Sequence, residues 1–213
     1  MTNLSYSSLN MLMTSSHNWA NKIMGLKPDP PEKIKIAMQN GTKCHRIIQK
    51  HVSGVKVRKD LSHIKYTFPI VERMNFDPQC KFEFLYDSEY KIGGYVDGLN
   101  PETGQILEIK TSYTNWSLSK FQNSPQRKVY AYAFSEYKES VLITGRKYPE
   151  RWKEDKPKVL RVDINEQDFD DALEYIEKGI DIIESGDYTG GLDDDGVCRD
   201  PYCFYGKNCS FKV

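Results

Sequence analysis

The sequence predicts an α/β fold: a mixed central β-sheet flanked by helices, with an N-terminal helical segment and a C-terminal Cys-rich tail. Three observations carry this. Apolar residues recur at helical spacing near both ends of the chain, the centre from Ile64 to Thr111 switches to period-two alternation rich in β-branched and aromatic residues, and the last stretch holds three of the five cysteines. A chain of 213 residues builds one substantial core, so residues 1–213 are read as a single unit. Its parts are a helical segment (1–60), a catalytic core (61–186) and the tail (187–213).

Ser5 to Met24 spaces Leu9, Leu12, Met13, Trp19, Ile23 and Met24 as one or two helices do. After the breaker Lys27-Pro28-Asp29-Pro30-Pro31, a second helix runs to about Ser53, before Gly54. Ile64–Val71, Lys81–Tyr86, Tyr90–Leu99 and Gln105–Thr111 read as strands. Between the last two, Asn100-Pro101-Glu102-Thr103-Gly104 has the length and residues of a hairpin turn. Trp116 to Tyr137 returns to helix, Ser140–Gly145 and Val159–Ile164 are strands, and Asp168–Ser185 is an acidic amphipathic helix.

Formal net charge is zero, yet the charges are segregated. Met1 to Asp60 carries ten Lys or Arg against three acids, and Asp163 to Asp200 carries fourteen acids against two bases. One end suits a polyanion and the other repels it. No apolar run approaches the roughly 18 residues that cross a bilayer, so no membrane partner is expected. Met1 to Asn10 lacks the basic start and apolar stretch of a secretory signal, so the expected address is cytoplasmic, which includes a virus-encoded protein acting in its host cell. An odd number of cysteines in such a chain suggests reduced thiols or metal ligands.

The chemistry concentrates in Gly93-Gly94-Tyr95-Val96-Asp97-Gly98 and, across the turn, Ile106-Leu107-Glu108-Ile109-Lys110-Thr111. Strand periodicity puts Glu108 and Lys110 on one face and Leu107 and Ile109 on the other. If Asp97 points to the same side, two carboxylates and a carbonyl can hold a hard cation such as Mg²⁺ or Mn²⁺ with an ammonium beside it. That set suits phosphodiester hydrolysis, because a cation lowers the pKa of water and a lysine steadies negative charge. A surface Glu/Lys pair on a hairpin is the bland alternative.

Further elements fall into order around this pair: Gly41-Thr42-Lys43-Cys44-His45 upstream and Gln126-Arg127-Lys128-Val129-Tyr130 downstream. The order resembles the PD-(D/E)XK nucleases, in particular the RecB-like branch with its CRISPR-associated four-cysteine nucleases and exonucleases. The resemblance implies the restriction-endonuclease-like form of the sheet. It implies Asp97, Glu108, the Ile109 carbonyl and His45 as metal ligands, and Lys110 as the catalytic lysine. It also implies that Gln126 and Tyr130, a QxxxY pair sharing one helix face, lie near the active site and the DNA backbone. Glu83 stands where some members carry an additional strand carboxylate. Lys43 and Arg46 beside His45, with Arg127 and Lys128 beside Gln126, are the cations expected on DNA. Val96 occupies the place of the proline in the family's name.

Cys198, Cys203 and Cys209 resemble the three-cysteine segment that helps these nucleases hold an iron–sulfur cluster. The N-terminal helix supplies no fourth cysteine, and four residues separate Cys198 from Cys203 where the family has two. An iron–sulfur cluster or Zn²⁺ completed by His17 or Cys44, or no metal, all stay open. Cys80, in a strand, is expected to be a small core residue.

The expected activity is a metal-dependent exonuclease acting on DNA ends or single strands, in recombination, repair or processing. A structure-selective endonuclease comes second. A non-catalytic DNA-binding subunit of a processing complex is a rival, opposed by the intact Asp97, Glu108 and Lys110. A thiol-based redox or metal sensor is a third reading. A second copy of the chain or a recombination or processing protein would be the protein partner.

Overall fold

The computed structural model describes residues 1–52, 74–112, 116–146 and 157–190, with Ile70 and Tyr205. An extended start, Thr2–Leu4 (β1), leads into α1 (Tyr6–Ile23), capped by Ser5, whose side-chain oxygen accepts from the Ser8 N–H at 3.2 Å. A break at Ser15 kinks α1, and α2 spans Glu32–Val52. The strands β2 (Asp77–Leu85), β3 (Tyr90–Asn100) and β4 (Gln105–Ser112) follow. Two short helices, α3 (Leu118–Gln122) and α4 (Pro125–Ala133), lead to β5 (Glu139–Arg146), β6 (Lys158–Asp163) and α5 (Glu166–Ser185).

The expected mixed sheet is present, with six strands. β3 pairs antiparallel with β2 along one edge, from Leu99 opposite Asp77 to Lys91 opposite Leu85. Its other edge is divided. β4 pairs antiparallel with Gly98–Asn100, and β1 pairs parallel with Tyr90–Ile92. β4 then runs parallel to β5 along its whole length, and β6 closes the sheet antiparallel to β5. The hairpin joining β3 to β4 turns where expected. Gly104 takes the left-handed conformation (φ 67°), and the Asn100 side-chain oxygen accepts from the Thr103 N–H at 3.2 Å.

One sheet face packs Ile92, Val96, Leu99 and Ile106 against Leu9 and Leu12 of α1, Val129 and Tyr130 of α4 and Ile176 and Ile180 of α5. The other face buries Leu107, Ile109, Val141 and Ile143 with Phe76. The α1–α5 contact is close: a Cβ added to Gly179 would lie 2.7 Å from Leu9 Cδ2. Helix α5 starts with a capping box in which Asn165 and Asp168 each bond the other's backbone N–H.

Three expectations are corrected. The helix anticipated from Trp116 to Tyr137 is two helices, because Asn123 and Ser124 end one and Pro125 starts the next at its first turn. Of the strand expected over Ile64–Val71, only Ile70 is described, and it is helical. Arg127, expected to face DNA, is 4% exposed and forms an ion pair with Asp168 through both terminal nitrogens, while donating to the Gln122 carbonyl at 2.9 Å. It staples α4 to α5. Asp168→Ala should therefore strand a buried charge and remove half a capping box. The expected cost is about 3–5 kcal/mol, a drop in Tm on the order of 10 °C, read by calorimetry. Lys178→Ala, which removes only an exposed pair with Glu174, should leave Tm within about 1 °C.

Candidate active site

Strand alternation in β2 and β3 fails at one rung, and Asp97 sits on it. Cys80 and Val96 are opposite each other on the main-core face, as are Phe82 and Gly94, and Phe84 and Ile92. At Gly98, two residues past Val96, a Cβ would instead meet Phe76 and Leu107 of the other core, at 3.0 and 3.3 Å. Between these rungs lies Asp97, and Gln79 on the neighbouring strand has φ 50°. This local twist adds no residue to either strand, since Pro78–Cys80 and Val96–Gly98 match in length. It turns the Asp97 side chain toward β4, where Oδ2 accepts from the Ile109 N–H at 2.7 Å.

That bond marks the place where the two strands part, since ladder pairing between β3 and β4 ends at Gly98 and Leu107. In an extended strand a residue's N–H and C=O leave the backbone to the same side. The Ile109 carbonyl therefore faces the same gap as its N–H. Glu108 and Lys110 leave β4 on the face of Ile106, and their side chains meet at 2.5 Å. From α2, His45 reaches in, with Nε2 2.9 Å from the other Asp97 oxygen. Asp97, Glu108, Lys110 and His45, gathered from 65 residues of sequence, thus share one gap.

Gln126 and Tyr130 form its third wall. Gln126 Nε2 donates to Tyr130 Oη at 2.7 Å, and that hydroxyl donates to the Tyr95 carbonyl at 3.1 Å. A narrow recess of about 10 Å³, room for little more than one water, is lined by Glu108, Lys110, Gln126, Tyr130, Trp116 and Ser140. Tyr6, not among the residues expected at the site, stands close enough to feel the Glu108 charge. Its phenol stacks on Tyr175 with centroids 6.2 Å apart. Nothing local flags this residue, since α1 reaches the gap only through long-range packing.

The other expected residues are placed as follows. Lys43 and Arg46 are exposed on α2, where they line a broad groove with Lys50. Lys128 is bound to Asp171 of α5 at 2.5 Å. Glu83 is exposed and paired with Lys91 at 2.8 Å and Lys81 at 3.4 Å, opposite Gly93 and outside the gap. Cys80 is half-buried against the main core. Cys198, Cys203 and Cys209, and the Cys44 side chain, lie outside the described residues. His17 is fully buried, with Nδ1 2.8 Å from the Gly190 carbonyl.

Residues 58–210 match the PD-(D/E)XK nuclease superfamily. The chain belongs to that superfamily. Its members generally use divalent metals such as Mg²⁺. The fold is similar to that of a protein designated SSO0001, with 14% identity over 100% of this chain and 88% of that one, at a TM-score of 0.53. It is also similar to a candidate exonuclease from Eubacterium rectale, with 11% identity over 86% of this chain and 82% of the other, at a TM-score of 0.58. No curated protein sequence matches the chain.

In this superfamily member the donor set of the gap fits a hard cation: two carboxylates, one carbonyl and an imidazole. Among the described residues, no three such side chains form a ready-made cage. Asp97 is held by His45 and the Ile109 N–H, and Glu108 by Lys110. Receiving a cation therefore requires these ion pairs to exchange.

The electrostatics favour that exchange. Burial pushes the Glu108 carboxyl up to about 7, and the Asp97 charge adds to the rise while Lys110 and His45 pull it back. Burial opposes charge on His45, but the hydrogen bond and charge of Asp97, joined by Glu108, hold it above the ordinary imidazole range. Burial and the Glu108 charge raise the Tyr130 phenol, and in the same way Tyr6 is pushed up to about 12.

Glu108 thus works against folding at neutral pH. With its pKa raised in the folded state, its contribution is fully present below about pH 4.5 and is lost as pH rises through 7. In the metal-free protein, Glu108→Gln should stabilise by on the order of 1–3 kcal/mol at pH 8, a rise of several degrees in Tm. The gain should vanish near pH 4.5. Thermal denaturation at both pH values checks this, and a variant less stable than the parent at pH 8 would contradict it.

Proposed function

We propose that this nuclease is a Mg²⁺- or Mn²⁺-dependent deoxyribonuclease that hydrolyses phosphodiester bonds at ends or in single strands, during DNA recombination, repair or processing. The carrying observation is the gap itself, in which the Asp97 carboxylate bridges His45 and the Ile109 N–H beside the Glu108–Lys110 pair. In this reading Asp97, Glu108, the Ile109 carbonyl and His45 hold the cation. When bound, it polarises the phosphate and lowers the pKa of a water.

The remaining work falls to side chains. With Glu108 serving as a ligand, the Lys110 ammonium beside it would be the group that orients the attacking water or steadies the phosphate oxygens. The water oxygen forms the new P–O bond and the sugar oxygen leaves with a proton. Gln126 and Tyr130 fix the wall that the substrate meets. The preference for ends rests on the likeness to the His-bearing exonucleases, and the Eubacterium rectale neighbour is itself described as a candidate exonuclease. The reading takes 1–213 as one domain, and iron and zinc assay of the purified protein decides whether Cys198, Cys203 and Cys209 hold an iron–sulfur cluster, Zn²⁺ or no metal.

End-labelled linear and circular DNA incubated with Mn²⁺ should be cleaved by the parent. Asp97→Ala and Lys110→Ala should lower the rate at least about a hundredfold. Equal cleavage by all three proteins would remove the assignment. Digestion confined to free ends selects the exonuclease, and opening of circles selects the endonuclease.

The exposed Lys43 and Arg46, one helix turn or less from His45, are proposed to hold backbone phosphates. Replacing either with alanine should weaken DNA binding to a similar degree across sequences and flatten the salt dependence of log K by about one ion per residue. Fluorescence anisotropy across a salt series reads both. An unchanged slope would remove these two residues from the interface.

A further inference from the structure

The recess beside Glu108 and Lys110 has one wall that the chemistry above does not use. Trp116 lines it, from the stretch of chain just ahead of α3. Ser117 caps that helix, its side-chain oxygen accepting from the Lys120 N–H at 3.1 Å. With Ser117 as the cap, Trp116 and Phe121 take the two positions of a hydrophobic staple. Phe121 is 3% exposed and lines the same recess, so the entry into α3 is fixed against the site. The cap also brings Lys120 back over the residue before it. Its ammonium lies 4.6 Å from the centre of the Trp116 ring.

The ring therefore has two sides with different neighbours. One borders the recess it shares with Glu108, Lys110 and Gln126, a void with room for little more than one water and far too small for a nucleobase. The other carries Lys120, an exposed side chain that does not line the recess. Trp116 itself is half-buried, so its position is held while a long, flexible cation covers what solvent would otherwise reach. The pair of Lys22 with Trp19 is a contrast: the distance is 5.6 Å, the ring is 9% exposed, and neither residue lines the recess. Only at Trp116 does a cation-covered ring adjoin the reacting groups, among the described residues.

We infer that Trp116 is a base-stacking platform: the face that Lys120 covers receives an unpaired nucleobase of the strand whose phosphate lies at Glu108 and Lys110. An exposed ammonium gains about two- to fivefold in affinity from such a ring, whereas a stacked base gains about five- to hundredfold. The base therefore displaces the ammonium, and Lys120 is freed to meet a neighbouring phosphate. Stacking uses the π-face, which every base has, so the platform is indifferent to sequence. A base that lies on this ring has left its pairing partner, and the substrate class is single-stranded DNA or a frayed end. The inference rests on the nuclease reading for its substrate but is testable apart from cleavage.

The test is titration with a 12-nucleotide oligothymidine in Ca²⁺, with parallel cleavage assays in Mn²⁺. The strand should quench the indole fluorescence of the parent, which has three tryptophans. Trp116→Phe keeps a ring without the indole, so it should bind within about threefold of the parent and lose most of the quench. Trp116→Leu keeps the apolar bulk of the staple but no ring, and should weaken binding roughly five- to hundredfold. A strand of the same length made wholly of abasic units should bind the parent as weakly as oligothymidine binds Trp116→Leu, and Trp116→Leu should cost nothing further on it. Affinity kept in Trp116→Leu and lost only in Trp116→Ala would mark a packing role and overturn the platform. Cleavage by the parent with the quench intact in Trp116→Phe would overturn it too and leave the nuclease reading standing. The base-dependent loss without cleavage by the parent would do the reverse, and a parent that does not bind the strand would overturn the platform outright.

Discussion

Where β3 and β4 separate, backbone groups lose their ladder partners inside the protein, and side chains must replace them. The Asp97 carboxylate takes the Ile109 N–H, and the Tyr130 hydroxyl serves the Tyr95 carbonyl, in the stretch of β3 paired by neither β1 nor β4 on that edge. A buried amide left without a partner costs about 1–3 kcal/mol, so neither contact is incidental. The gap is a folding problem, and its solution is the geometry of the candidate active site. Asp97 cannot serve Ile109 without lying beside Glu108, and Tyr130 cannot reach Tyr95 without closing the wall opposite.

The same gap concentrates charge where water is scarce. Two acids, an ammonium and an imidazole balance one another in pairs, which lets the chain fold around them. The balance is imperfect, and the raised Glu108 carboxyl measures the shortfall. In the proposed reading, carboxylates meant for a cation must meanwhile be satisfied by the chain's own residues, a familiar tension between stability and activity. The buried Arg127–Asp168 pair, which ties α4 to α5 behind the QxxxY pair, is the kind of support such a site needs.

Much of this was legible in the sequence because it is local. The Glu108-Ile109-Lys110 alternation, the turn at Asn100 to Gly104 and the acidic helix each follow from spacing and cap chemistry within a few residues. What escaped depends on distant partners. β1 is three residues long and is a strand only because Tyr90–Ile92 offers an edge. The turn of Asp97 toward β4 answers the demand of Ile109 across the gap, and Tyr6 arrives there through packing of α1 on α5. Arg127 looked available because it neighbours Gln126, but one position along a helix is a turn of about 100°, enough to move a side chain from the site into the core. Pro125 was the one missed signal that was plainly visible, since a proline after Ser124 announces a new helix.

The brevity of β1 carries a consequence for self-association. Among the described residues, one edge of β3 between Ile92 and Gly98 has no strand beside it. The three residues of β1 occupy the rungs just beyond and so shorten that uncovered edge. Loss of Thr2–Leu4 would lengthen that edge into the kind of template that recruits other chains, so this short pairing guards colloidal behaviour as well as fold.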